Sequence, residues 1–74
     1  MTFGERIYRE RKKKKMSAQA LADACGLSRS YITLIENDHR RPGKKILTKI
    51  GEVLDVKAPV IINWYLEDLR KKLG

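Results

Sequence analysis

The sequence predicts an all-α fold, one compact domain of five short helices across residues 1–74. Three observations carry that expectation. Apolar residues recur at helical spacing along the chain, and no stretch alternates apolar and polar residues over the length of a strand. Capping and turn-forming residues interrupt the recurrence at the helix boundaries. A chain of 74 residues supplies one hydrophobic core, and a second would need roughly twice as much.

Each helix follows from local chemistry. The first opens at Thr2 with Glu5 three residues on, the spacing of a capping box. Phe3 and Ile7 share a face, and Arg11 is the next residue on that stripe. The helix fades near Lys14, because the consecutive cations Arg11 to Lys15 repel one another and suit only a C-terminal turn. Ser17 caps the second helix, which runs through an alanine-rich segment and stops at Gly26, the usual residue for a left-handed C-terminal position. Ser28 caps a third helix, Arg29 to Asn37. Asp38 to Gly43 reads as a loop of turn formers. The fourth helix, Lys44 to Leu54, carries Ile46, Leu47, Ile50, Val53 and Leu54 as its apolar stripe. Pro59 suits the first position of a fifth helix that runs to Leu73.

Composition narrows the function. Lys and Arg total 17 against 9 acids, a net charge of +8, which points to a polyanionic partner and to nucleic acid ahead of a membrane surface. The longest uncharged stretch, Ala58 to Leu66, is too short to span a bilayer. The basic N-terminal segment lacks the apolar core of a signal peptide, so a cytoplasmic location is expected. Cys25 is the sole cysteine, which excludes an intrachain disulfide framework and a Cys-rich zinc site. Next to the turn glycine it reads as a small packed apolar side chain. His39 stands alone in a polar loop with no second ligand nearby. No nucleophile sits at a recognisable spacing from a general base. The expectation is therefore a non-enzyme with no cofactor, no metal and no small-molecule ligand.

The informative segment runs from Ser17 to Ile35. Two short helices are joined by Cys25-Gly26-Leu27; Ala22 is small so that the second helix can cross it closely, and Gly26 supplies the positive φ of a sharp turn. Leu21, Leu27, Ile32 and Ile35 fill the space between the helices and the core. This is the spacing of a helix-turn-helix, whose second helix enters the DNA major groove. At 100° per residue, Arg29, Ser30, Thr33, Leu34 and Asn37 share one face of that helix, while Tyr31, Ile32 and Ile35 point to the core.

The chain also resembles the lambda-repressor-like (xenobiotic response element) helix-turn-helix family. The matching residues are Phe3-Gly4-Glu5-Arg6-Ile7 with Arg11, Ser17, Leu21-Ala22, Gly26, Ser28 to Thr33, Ile35-Glu36 and Arg40-Arg41-Pro42. The resemblance covers Phe3 to about Val60 and implies a five-helix domain that binds operator DNA, usually as a two-fold dimer. It supports Arg29, Ser30 and Leu34 as base-facing positions. A guanidinium at Arg29 suits O6 and N7 of guanine, Ser30 a base edge or phosphate, and Thr33 and Leu34 a thymine methyl.

Phosphate contacts are expected from Ser17, Gln19, Ser28, Asn37, Arg40, Arg41, Lys44 and Lys45. Ser17 lies at a helix N-terminus, where the dipole favours an anion. Two adjacent lysines at the start of the fourth helix oppose its dipole, and a bound phosphate would offset that penalty. Relatives in the resembled family commonly carry glutamine after the capping serine; here that position is Ala18, and Gln19 is the substitute. The resemblance further implies a semi-buried ion pair between Arg11 and Glu36.

The fifth helix carries more apolar surface than one stripe can bury. The line through Ile62, Tyr65 or Leu66, Leu69 and Leu73 would close the core, and the surface of Val60, Ile61 and Trp64 would face a second copy. Ile61, Trp64, Tyr65 and Leu69 are thus the candidate dimer residues, within a C-terminal helix of residues 59–73. The function expected is a transcriptional regulator that binds a near-palindromic stretch of double-stranded DNA as a homodimer. Such small stand-alone proteins occur as phage or plasmid repressors and as controllers of restriction-modification systems. The alternative is an antitoxin-type module whose C-terminal helix binds a partner protein.

Overall fold

The computed structural model describes residues 1–73, with side chains to 71. It contains helices α1 (Phe3–Lys13), α2 (Ala18–Cys25), α3 (Arg29–Glu36), α4 (Lys44–Leu54) and α5 (Ala58–Leu73), and no strand among the described residues. Thr2 and Glu5 close the capping box in both directions, with Glu5 N–H donating to Thr2 Oγ1 at 3.2 Å and Thr2 N–H to Glu5 Oε1 at 3.3 Å. The α5 start lies one residue before the proline expected to lead it. Pro59 is the second helical residue, still within the first turn, where a missing N–H breaks no helical bond.

The ends of the first four helices share one solution. Gly26 takes the expected left-handed conformation (φ 69°), and Leu27 N–H closes on the Ala22 carbonyl at 2.8 Å. Lys15, Asp38 and Asp55 adopt the same region without being glycine (φ 55°, 61° and 59°). Each is followed by an N–H that reaches five residues back: Met16 to Arg11, His39 to Leu34 and Val56 to Gly51. These bonds satisfy carbonyls that the helix leaves open.

The core is built from every helix: Phe3 and Ile7, Leu21 and Ala22, Ile32 and Ile35, Leu47, Ile50 and Leu54, and Ile61. Complete burial of Ala22 lets α3 cross α2 closely. A second close approach joins α1 to the end of α3. A Cβ on Gly4 would lie 2.5 Å from the Glu36 carbonyl and 2.6 Å from that of Ile35. Gly4 N–H also donates to Asp38 Oδ1 at 3.0 Å.

Helix α5 lies against α1 and α4. Phe3 meets Tyr65 edge to face at 5.4 Å. Arg6 bonds Glu67 at 3.1 Å and covers the Trp64 ring at 5.3 Å. Lys14, at the end of α1, pairs with Asp55 after α4.

Contrary to the expectation, Ile61 does not face outward for a second copy; it is fully buried beside Gly51 of α4. With Ile61 and Asp68 marking the inward face, Leu66 is left 45% exposed and Ile62 and Leu69 half-covered. The side chain of Leu73, expected on the line that closes the core, lies outside the described residues.

Candidate nucleic-acid interface

Helix α3 is held by its apolar side and displayed by its polar side. Ile32 and Ile35 are buried to 1% exposure or less, whereas Arg29, Ser30, Thr33 and Leu34 are exposed and line one shallow concavity. Leu34 is an exposed leucine, 39% accessible, in a helix whose other leucine-sized side chains are inside. Thr33 Oγ1 donates to the Arg29 carbonyl at 3.1 Å, so its hydroxyl proton is already used. What Thr33 offers outward is its methyl group and acceptor lone pairs, which suits contact with a thymine methyl.

The two serine caps flank this face. Ser17 Oγ accepts from Ala20 N–H at 3.0 Å and Ser28 Oγ from Tyr31 N–H at 3.1 Å. Capping uses a lone pair, so both hydroxyl protons remain available to a phosphate oxygen. Gln19 and Asn37 are less free. Gln19 Nε2 donates to Asp23 Oδ1 at 2.8 Å and Asn37 Nδ2 to the Thr33 carbonyl at 3.0 Å, leaving each amide one further N–H.

The loop after α3 brings cations to the same region. Arg40 sits over the Tyr31 ring at 5.5 Å, which ties the loop to the recognition helix. Arg40 and Arg41 are exposed while Pro42 is buried and anchors the loop from beneath. Lys44 and Lys45 are exposed on the first turn of α4, whose cap, Gly43, provides no side-chain hydrogen bond. The N-terminal amides of α4 therefore stay open to an anion. They border a groove that also contains Cys25, Ile46, Thr48 and Lys49. Burial raises the Cys25 thiol pKa above its ordinary value, with Lys49 opposing it weakly, so the thiol is a packed, protonated side chain.

An ion pair fixes α3 against α1. Arg11 Nε bonds Glu36 Oε2 at 2.7 Å, Nη2 bonds Oε1 at 3.0 Å, and Nη1 donates to the Met16 carbonyl at 2.8 Å. Both side chains are 8% exposed. The hydrogen bonds that Arg11 donates to Glu36 raise its pKa despite burial, so the guanidinium stays charged. It locks the end of the recognition helix to the end of α1. Sequence reasoning passed over Gly4, Asp38 and Tyr8 as functional supports. A glycine at the second position of a helix is a signal for close approach, but neither Asp38 nor Tyr8 has a local pattern that announces its partner.

Two serine-capped helices about a left-handed glycine, the second exposing a polar face bordered by cations, define a helix-turn-helix module. A helix-turn-helix family model matches residues 7–61, and the chain belongs to that family. It is similar to the immunity repressor protein of Bacillus phage phi105, 36% identical over 62 residues that make up 84% of this chain and 43% of that protein. It is also similar to the transcriptional regulator SinR of Bacillus licheniformis, 38% identical over 62 residues, 82% of this chain and 56% of that one. The crystal structure of SinR, a master regulator for biofilm formation, in complex with DNA has a TM-score of 0.76 and 34% identity, covering 82% of this chain and 98% of that one. The chain spans about half the length of these curated relatives. Among the described residues no helix is long and apolar enough to cross a membrane, and no cluster of His, Cys, Asp and Glu could hold a metal ion.

Proposed function

We propose that this chain is a sequence-specific DNA-binding transcriptional regulator of cytoplasmic location that inserts α3 into the major groove. One observation carries the reading: Arg29, Ser30, Thr33 and Leu34 are displayed together on a helix that buries Ile32 and Ile35 on its opposite side. An arginine exposed in the first turn and a leucine exposed in the second have no packing role on so short a helix, and base edges supply partners for both. Ser17, Ser28, Asn37, Arg40, Arg41, Lys44 and Lys45 then grip phosphates on either side, with Gln19 a weaker donor. Similarity to repressors and to a DNA-bound regulator supports the reading.

The regulator acts as a homodimer on a near-palindromic site, residues 1–74 forming one domain. Helix α5 supplies the two-fold contact through Leu66 and the half-covered Leu69, Tyr65 and Trp64, with Ile61 withdrawn into the core. Recognition helices about 34 Å apart would then read two half-sites one DNA turn apart.

Selection of bound duplexes from a random DNA pool tests the proposal. A recurring two-fold motif is the expected product. Arg29→Ala should weaken binding to that motif by about ten- to a hundredfold while changing binding to unrelated DNA much less; an equal loss on both refutes base reading by Arg29. The competing reading, a module whose α5 docks on another protein, draws on the exposed Leu66 and Val60. It predicts a monomer by light scattering and no enriched motif.

A further inference from the structure

The outer side of α1 and the flank of α5 beside it form a groove of about 650 Å³, lined by Met1, Arg6, Tyr8, Arg9, Lys12 and Trp64, with Glu10 and Lys13 among them. That volume falls among ligand-binding sites, far above what a single ion needs. Trp64 aside, neither the proposed DNA contacts nor the proposed two-fold contact uses these residues. Met1 is 53% exposed and Tyr8 45%, so the groove offers apolar surface to water. Trp64 is half-buried, with the Arg6 guanidinium over its ring at 5.3 Å. The charges are lopsided, four cations against one acid. Lys13 pairs with Glu10 at 3.2 Å, and Arg6 is held by Glu67 at 3.1 Å. Arg9 and Lys12 are exposed and make no salt bridge among the described residues, which leaves two positive charges unopposed. Three residues apart on one helix, they lie about 5–6 Å from each other at Cβ.

We propose that this groove docks an acidic segment of a partner protein, two of whose carboxylates pair with Arg9 and Lys12 while a neighbouring apolar side chain lies against Met1 and Trp64. Three features select that occupant. Two unopposed cations one helical turn apart match carboxylates spaced in the same way. The open Met1 and Tyr8 side chains gain from apolar contact, which a bare polyanion does not supply. Glu10 lies in the same groove and only accepts hydrogen bonds. A peptide brings backbone N–H groups to it, whereas a DNA strand brings phosphate acceptors and further negative charge. A second copy of this chain fits poorly. It carries the same net charge of +8, and its closely spaced acids are engaged, Glu52 by Lys49, Asp55 by Lys14 and Glu67 by Arg6. The docking does not depend on what α3 binds, since the groove contains no residue of that helix.

The probe is a short, rhodamine-labelled peptide of glutamates and leucines at helical spacing, titrated with the full chain at physiological salt and followed by fluorescence anisotropy. Wild type should bind it saturably. The double variant Arg9→Gln with Lys12→Gln, both at exposed positions, should weaken binding about two- to thirtyfold with the helical spectrum unaltered. Lys44→Gln with Lys45→Gln removes the same charge from α4 and should weaken it much less, because salt screens charges outside the groove. A peptide with serines in place of its leucines should also bind more weakly. Chain already saturated with the selected duplex should still take up the peptide. Equal losses from the two double variants would reduce the effect to net charge and overturn the proposal. Equal affinity for the leucine and serine peptides would leave no apolar contact and overturn it too. Displacement of the peptide by the duplex would assign the groove to DNA, and absence of saturable binding would leave it without an acidic partner; either result refutes the docking. If no duplex is selected at all, the DNA-binding reading fails while the peptide titrations of the free chain still decide this one.

Discussion

Substituting Glu36 with glutamine removes the charge opposite Arg11 while keeping the size of the side chain. The Arg11 guanidinium, in a side chain 8% exposed, would retain the Met16 carbonyl at 2.8 Å and the Tyr8 ring at 5.1 Å but lose its counter-ion. Breaking a buried pair from one side costs about 3–5 kcal/mol, because the surviving charge stays desolvated. A domain of this length has roughly 4–11 kcal/mol of stability in all, at about 0.05–0.15 kcal/mol per residue. For so small a domain each kcal/mol moves the melting temperature by about 4–8 °C, so Glu36→Gln should melt at least about 12 °C lower. Urea and thermal unfolding followed by ellipticity and Trp64 fluorescence, at one fixed protein concentration, would measure the loss. The double variant Arg11→Met with Glu36→Leu removes both charges and should lie within about 1 kcal/mol of wild type or above it. A loss under about 0.5 kcal/mol for Glu36→Gln, or a double variant as unstable as the single, would refute the assignment of that energy to an uncompensated charge.

Gly4→Ala should destabilise the fold by about 1–3 kcal/mol in a thermal melt, since the new Cβ meets the Ile35 and Glu36 carbonyls, which cannot move aside. Helix propensity alone predicts the opposite sign, a gain of about 1 kcal/mol, so the direction of the shift decides between them. Lys44→Ala should lower affinity alike on operator and unrelated DNA and flatten the salt slope by about one unit, measured by fluorescence anisotropy; an unchanged slope removes Lys44 from the phosphate contacts. Leu66→Glu should shift the molar mass by light scattering toward a monomer with the helical spectrum unaltered, and an unchanged mass would take α5 out of the dimer contact.

The recognition helix was legible because its signals are local. Ser17, Gly26 and Ser28 act on backbone groups within four residues, and the angular spacing of Ile32 and Ile35 already turns Arg29, Ser30, Thr33 and Leu34 outward. The pairing of Arg11 with Glu36 was legible only through family resemblance, since a contact across 25 residues leaves no mark in periodicity. Helix α5 was misread for a different reason. With Val60, Ile61, Ile62, Trp64, Tyr65, Leu66 and Leu69 spread around it, its apolar residues define no single face, and a rotation of the helix about its axis exchanges core for surface. The left-handed residues Lys15, Asp38 and Asp55 were equally silent, as only Gly26 advertises that conformation in its identity.

Taken alone, the order of residues determines five helices, the caps at Thr2, Ser17 and Ser28, the turn at Gly26 and the outward face of α3, because each depends on hydrogen bonds and spacings within a turn or two. Tertiary packing decided the rest: that Ile61 lies inside and Leu66 outside, that Gly4 admits the carbonyls at the end of α3, and that Arg11 reaches Glu36 at the end of the recognition helix. Those outcomes depend on which surfaces meet across distant parts of the chain. A helix with apolar residues on several sides can satisfy its own backbone in any rotation, and only its neighbours select one.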